Sequence, residues 1–217
     1  TPMREHQRYF PVVDEEGRLL NKFITVRNGG KEFLDVVAHG NERVLRARLS
    51  DAEFFFNEDR KLKLEDRLEK LKTVSFQEGL GNMYDKSERL AKLAEMVKFA
   101  INVKVDDTNL KRTALLSKTD LVAGMVVEFT ELQGVMGREY AKLDGEPAEV
   151  AEGIYEHYLP RFAGDELPKG TIGRIVGISD KIDNIVATFS RGLAPTGSQD
   201  PYALRRQALG IINILIS

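Results

Sequence analysis

The sequence predicts a mainly α-helical fold that is preceded by a small β-hairpin. Apolar residues recur at helical spacing over most of the chain, two short β-type runs lie near its start, and breaks that contain Gly or Pro separate the helical stretches. The 217 residues are 42% apolar and 30% charged. This composition is ordinary for a globular protein that can bury a sizeable core.

Composition also limits the classes of function. The chain has no cysteine, which excludes disulfides, thiolate metal sites and a cysteine nucleophile and agrees with a cytoplasmic location. The net charge is −2, so any RNA contact must come from a local basic patch. No apolar run approaches the length of a membrane span, and the first ten residues lack a signal-peptide core. The missing initiator methionine and the apolar final run 211–216 indicate an internal fragment, truncated at its C-terminus.

The hairpin prediction rests on the first thirty residues. Tyr9–Val13 and Phe23–Val26 are β-type runs, and residues 14–17 (Asp-Glu-Glu-Gly) have the composition of a turn. Residues 28–30 (Asn-Gly-Gly) end the second strand. Such a hairpin is too small to be stable alone. We therefore interpret residues 1–40 as the C-terminal remnant of a preceding β-containing domain.

Residues 41–217 are predicted to form an all-α domain of about six or seven helices, of which the first one or two could form a linker. The first helix is expected to start near Asn41, and its inward face is Leu45, Leu49, Ala52 and Phe56. The remaining helical stretches are Leu64–Leu71, Lys86–Val103, Leu110–Phe129, one that follows Pro147, Thr171–Phe189 and one that starts at Pro201. In the last helix Leu204, Ala208, Ile211 and Leu215 are expected to face the core.

Two pairs of arginines are candidates for RNA contact. Asp200 is expected to cap the last helix and Pro201 to be its first residue, which turns Arg205 and Arg206 away from the core. This pattern also suits an ordinary capped helix with solvated arginines. Arg43 and Arg46 share a face of the first helix, where they could bind RNA phosphates or pair with nearby Asp51, Glu53 and Glu58. Tyr84, Phe129, Tyr140 and Tyr155 could stack on bases, although aromatics at helical spacing are more often core.

Three segments resemble the HD superfamily of all-α metal phosphohydrolases. Residues 86–94 (KSERLAKLA) resemble the helix that carries its first His, residues 114–118 (ALLSK) the segment that ends in its His-Asp pair, and residues 179–183 (SDKID) the segment with its final Asp. In that superfamily these four side chains hold a divalent cation that activates water. The resemblance implies an HD-domain-like helical bundle.

The HD ligands themselves are largely missing. Lys86 stands in place of the first His, Ser117 and Lys118 replace the His-Asp pair, and only Asp180 remains. Two ammonium groups would repel a divalent cation, so we expect neither a metal nor a catalytic residue here. Lys86 and Lys118 could instead pair with Asp180 or Asp183 in a buried polar network. None of the histidines stands at a ligand position; these are His6, His39 and His157.

Six stretches together resemble the β subunit of bacterial heterotetrameric glycyl-tRNA synthetase. They run in family order and cover residues 5–12, 40–59, 79–90, 115–141, 156–168 and 195–211; the last contains PTGSQDPYALRRQALGI. The resemblance implies an α2β2 ligase that attaches glycine to its tRNA. Its α subunit would hold the aminoacylation site with ATP and Mg, and its β subunit would recognise tRNA through domains that include a degenerate HD-type domain.

The resemblance also implies a role for this chain. It would be a non-catalytic, HD-like module that contributes to tRNA binding and subunit architecture in a cytoplasmic enzyme, with no cofactor of its own. Its partners would be the α subunit and glycine tRNA, with no membrane. Two alternatives remain open at this stage: a metal-dependent HD phosphohydrolase and a purely structural scaffold.

Overall fold

The computed structural model describes residue 3 and residues 7–197 and 199–217 of the chain. The predicted mainly α fold with an N-terminal hairpin is confirmed. The hairpin strands are β1 (Phe10–Val13) and β2 (Leu19–Ile24). The helices are α1 (Leu34–Asp59), α2 (Met83–Ala100), α3 (Asp107–Leu116), α4 (Gly124–Glu128), α5 (Val135–Leu143), α6 (Ala148–Glu156), α7 (Thr171–Ser190) and α8 (Leu204–Ile216). Short 3₁₀ helices cover Glu65–Arg67, Glu69–Thr73, Thr119–Val122 and Thr130–Leu132.

The hairpin is antiparallel and closes on a tight turn. The Asp14 carboxylate accepts hydrogen bonds from the backbone N–H groups of Glu16 and Arg18, at 3.1 and 2.8 Å. This turn brings Leu19 opposite Val13, so the ladder starts there. The predicted second strand, Phe23–Val26, is therefore wrong in its bounds, because pairing begins directly after the turn.

Helix α1 begins before the predicted Asn41 and carries the hairpin on its first half. The Tyr9 ring stacks on Phe23 at 5.2 Å, and its hydroxyl donates to the side chain of Asn41 at 3.0 Å. Leu45 is buried as predicted, but Leu49 is exposed, because α1 packs on α4 only through its last turns. Since α1 runs unbroken through residue 40, the division into 1–40 and 41–217 stays a prediction.

A capping box fixes the start of α2. The Asp85 N–H donates to the Asn82 side chain at 3.0 Å, and the Asn82 N–H donates back to the Asp85 carboxylate at 3.1 Å. The helix therefore starts three residues before the predicted Lys86. Leu90 and Ala94 are buried on its inner face, as their spacing predicted.

The single helix predicted for Leu110–Phe129 is wrong. After α3 the chain turns through a 3₁₀ segment and then forms the short α4. The Asp59 carboxylate, 65 residues away along the chain from Gly124, accepts hydrogen bonds from the N–H groups of Gly124 and Met125 at 2.8 and 2.9 Å. This long-range cap starts a new helix inside the apolar stretch. Helix α5 was not predicted; the N–H groups of Gly134 and Gly137 donate to buried Asp120 at its start.

Helix α8 begins three residues later than predicted. The Asp200 carboxylate accepts from the N–H groups of Leu204 and Arg205 at 2.8 and 3.0 Å, while Pro201 lies in the preceding turn. Gly210 lies against α7, where an added Cβ would come 3.2 Å from the side chain of Lys181. This close approach sets the buried face of the helix, which is Leu204, Gly210 and Ile214. The predicted inward positions Ala208 and Leu215 are therefore wrong, because both are exposed.

The core consists of two apolar clusters. One is formed mainly by α4, α5 and α6 and includes Val150 and Ile154, which the sequence placed inward. The other is formed by α2, α3 and α7 around Leu90, Leu110 and Ile175. Helix α7 has the predicted extent to within one residue. Within the described part of the chain, no helix is both long and apolar enough to cross a membrane.

Candidate functional site

Four charged side chains meet where α2, α7 and the end of α3 pack together. Lys86 Nζ lies 2.9 Å from Asp180 Oδ1 and 2.8 Å from Asp183 Oδ2. Lys118 Nζ lies 2.9 Å from Asp180 Oδ2. We call Lys86, Lys118, Asp180 and Asp183 the lysine–aspartate network. The predicted pairing of the two lysines with these aspartates is confirmed.

The lysine–aspartate network is removed from solvent. The Lys86 and Lys118 residues are only 2% and 4% exposed. Burial by itself would raise the pKa of Asp180, but Lys118 and Lys86 outweigh it and hold that pKa well below its usual range. Burial likewise acts against the charge of Asp183, and hydrogen bonds from Arg89 and Lys86 outweigh it and lower its pKa. Both aspartates are therefore anions that need their cations in place.

His157 also belongs to this buried region, which the sequence analysis missed. Its Nε2 lies 2.9 Å from Lys118 Nζ, and its Nδ1 lies 2.7 Å from the carbonyl oxygen of Ile154. Burial and then Lys118 hold the pKa of His157 well below its usual range, so the ring is neutral. Nδ1 must donate to the carbonyl, and Nε2 accepts from Lys118. The heptad spacing from Val150, an inward residue of α6, was the available signal.

The other histidines do not join the site. His39 is exposed on α1, and His6 lies outside the described residues. A further lysine, Lys181 of α7, is buried and donates to the carbonyl oxygens of His157 and Leu159, at 3.2 and 2.8 Å. Burial lowers the pKa of Lys181 to about 8. The end of α6 is thus held against α7 by an ammonium group.

The donor set does not fit a divalent cation. Each carboxylate oxygen of Asp180 faces an ammonium group, and the remaining lone pair of His157 also faces Lys118. The Ser117 hydroxyl donates to the carbonyl of Ala114 instead of pointing to a shared centre. Over residues 7–197 and 199–217, no group of three or more His, Asp or Glu side chains is arranged to hold a metal ion. Activation of water by a metal has no ligand set here.

The predicted RNA-contact arginines are exposed on two separate helices. Arg43 and Arg46 lie on α1. Within the described residues, neither arginine forms the predicted ion pair with Asp51, Glu53 or Glu58. Arg205 and Arg206 are exposed on α8, and Arg206 donates to the carbonyl oxygen of Arg161 at 3.4 Å. Because α1 packs mainly on α4 and α8 mainly on α7, the two pairs belong to different layers of the fold. Their contact with tRNA stays a prediction.

The four aromatic candidates divide into two groups. Phe129 and Tyr140 are buried in the first core cluster, and the Tyr140 hydroxyl donates to Asp59 at 2.8 Å. Tyr84 and Tyr155 are half-buried and lie beneath the cations of Lys72 and Arg138, respectively. Phe129 and Tyr140 are therefore core residues and cannot stack on a base.

The amino-acid sequence is similar to known proteins along its whole length. A family model described as "Glycyl-tRNA synthetase beta subunit" matches residues 1–217. The chain belongs to this family. It is 57% identical over 217 residues to the glycine–tRNA ligase beta subunit of Desulforamulus reducens. This match covers 100% of this chain and 31% of that protein. The corresponding proteins of Halothermothrix orenii and Clostridioides difficile are 56% and 58% identical, over 100% of this chain and 32% and 31% of their own lengths. The chain thus spans about a third of these relatives.

Proposed function

We propose that this chain is a non-catalytic module of a glycyl-tRNA synthetase β subunit that binds tRNA and shapes the subunit. The observation that best supports this proposal is the pairing of Lys86 and Lys118 with Asp180. Two ammonium groups occupy the positions at which the HD resemblance would require metal ligands. The side chains therefore support a structural centre, and the ligase chemistry belongs to another part of the enzyme.

The wider assignment combines the names of the relatives with what the family resemblance implies. The whole enzyme would be a glycine–tRNA ligase, with glycine tRNA as its substrate and an α subunit as its partner in an α2β2 assembly. ATP and Mg would act on the α subunit, in the cytoplasm. This module would hold no cofactor.

The architectural part of the proposal rests on three helices joined by buried charges. Lys86 comes from α2, Lys118 from the end of α3, and both aspartates from α7. Removing one partner of a buried ion pair typically costs about 3–5 kcal/mol, because the other charge is left uncompensated. The network therefore fixes how the three helices pack.

The tRNA-binding part rests on exposed arginines that face solvent from α1 and α8. Phosphate contacts of this kind make binding depend on salt. In the full enzyme, the fourfold variant Arg43→Glu, Arg46→Glu, Arg205→Glu and Arg206→Glu should weaken tRNA binding and reduce the slope of log affinity against log salt by about one per lost phosphate contact. The control is Lys92→Glu with Lys111→Glu, which changes two exposed cations on α2 and α3. Unchanged tRNA affinity and glycylation in the fourfold variant would remove the tRNA-contact assignment.

A pure scaffold is the second candidate, because the buried network explains stability without RNA. Hydroxyl-radical footprinting of tRNA on the complete enzyme separates the two. Binding through α1 or α8 predicts protection that the arginine variant loses. A scaffold predicts a footprint that is identical for the wild type and the variant.

A further inference from the structure

A small cavity lies beside the lysine–aspartate network. It has a volume of about 230 Å³, and it is lined by Phe76, Gln77, Asn184, Thr188, Tyr202 and Gln207. Asn184 connects it to the network, because Lys86 Nζ donates to Asn184 Oδ1 at 2.8 Å. Pockets for drug-sized ligands are larger, at roughly 300–1,000 Å³. The volume therefore suits a single planar ring system.

The amide groups of the cavity are held in fixed orientations. Asn184 Nδ2 donates to Gln207 Oε1 at 2.8 Å, and Gln207 Nε2 donates to the carbonyl of Tyr202 at 3.1 Å. A side-chain amide has two N–H donors and two acceptor lone pairs. Asn184 and Gln207 therefore each keep one N–H donor and one lone pair for a ligand. Gln77 Oε1 is buried, and the described residues supply no hydrogen-bond partner for it. This oxygen is therefore available to accept a hydrogen bond from a ligand.

Aromatic rings complete the lining. Tyr202 is 44% exposed, which leaves its ring accessible to a ligand. Phe76 is half-buried, and Lys86 Nζ and Arg89 Cζ lie 4.5 and 5.3 Å from its ring centroid. Lys86 and Arg89, which both pair with Asp183, therefore place two cations against the Phe76 ring.

These features describe one class of ligand. An apolar ligand would leave the amides unpaired, and a free phosphate would not use the rings. A nucleobase has a flat face for Tyr202 and an edge of donors and acceptors for the amides. We propose that this cavity binds an unstacked nucleobase. The proposal rests on the proposed function, which brings RNA to this module, and the base can come from single-stranded RNA or from a free nucleotide.

The test compares Tyr202 variants in the full-length two-subunit enzyme. The probes are AMP, a short single-stranded oligoribonucleotide of mixed sequence and a blunt RNA duplex, with dissociation constants from calorimetry and fluorescence anisotropy. Base stacking on an aromatic ring is worth about 1–3 kcal/mol, so Tyr202→Ala should weaken binding of the single strand by about 5- to 150-fold. Tyr202→Phe keeps the ring and should bind like the wild type. Phe99→Ala is the control, because Phe99 is 86% exposed on α2 and does not line the cavity.

Each outcome decides the proposal. Competition by AMP for the Tyr202-dependent site identifies a free nucleotide as a ligand, and binding of the oligoribonucleotide alone identifies RNA; both support the cavity. Equal affinities of Tyr202→Ala and the wild type for AMP and for the single strand would overturn it, provided that thermal unfolding shows an intact fold. If only the arginine variant lost tRNA, the base site would fail while the proposed function survived. If only Tyr202→Ala lost RNA, the arginine contacts would fail instead.

Discussion

Loss of the Asp180 charge is predicted to destabilise the packing of α2, α3 and α7. Asp180→Asn removes the anion that both buried lysines share, at distances of 2.9 Å each. At an effective dielectric constant of about 20, each pair attracts by about 6 kcal/mol. Desolvation of the ions offsets much of this attraction, and breaking buried pairs typically costs about 3–5 kcal/mol net. Lys86 retains Asp183, whereas Lys118 keeps no anionic partner within the described residues.

Hydrogen exchange of the full β subunit is the suitable assay, because a multidomain protein has no single free energy of unfolding. A loss of about 3–5 kcal/mol corresponds to amide exchange that is about 100- to 5,000-fold faster in α2 and α7. The control is Glu58→Gln, which breaks the exposed pair with Lys61 and should change exchange little. If Asp180→Asn left the protection of α2 and α7 at the wild-type level, the network would not hold these helices together.

Two further predictions concern the lysine–aspartate network and the neighbouring buried Lys181. The double variant Lys118→Met, Asp180→Leu replaces the two charges by apolar side chains of similar size. Because apolar replacements of buried ion pairs are often neutral, its exchange protection should be closer to that of the wild type than the protection of Asp180→Asn is. A double variant that is less protected than Asp180→Asn would contradict this. Burial lowers the pKa of Lys181 to about 8, below its usual value of about 10.4. Between these two pKa values the unfolded chain binds more protons than the folded chain. The stability of the fold should therefore rise as the pH increases from about 8 to about 10. Lys181→Met should remove this rise in exchange or thermal-unfolding measurements from pH 8 to 10, and identical pH profiles for both proteins would contradict the assignment.

The structure changes how the HD resemblance should be interpreted. Lys86 and Lys118 stand where the resemblance would place metal ligands, and both are covalently attached cations that neutralise Asp180. The carboxylate of Asp180 thus keeps a counter-charge without any metal ligand set. The HD-like ancestry of these positions stays a prediction.

Sequence periodicity was sufficient to predict the extent and the buried face of a helix where that helix is long and packs along its whole length. Thr171–Phe189 and the buried positions Leu90 and Val150 followed from spacing alone, since a 3.6-residue period directly reports the face that is buried. The pairing of Lys86 and Lys118 with aspartates also followed from the sequence. Both lysines stand where the HD resemblance would put metal ligands, and a buried charge needs a compensating partner.

Tertiary contacts decided the rest. The apolar stretch Leu110–Phe129 breaks because Asp59, distant in sequence, caps a new helix inside it. His157 enters the buried site because α6 ends against α7; its heptad spacing from Val150 indicates an inward position but not the contact with Lys118. The sequence by itself therefore determined the family, the helical class and the charges that pair. Only the folded chain determined where helices stop and which polar groups meet, because both depend on hydrogen bonds between segments that lie far apart in the sequence.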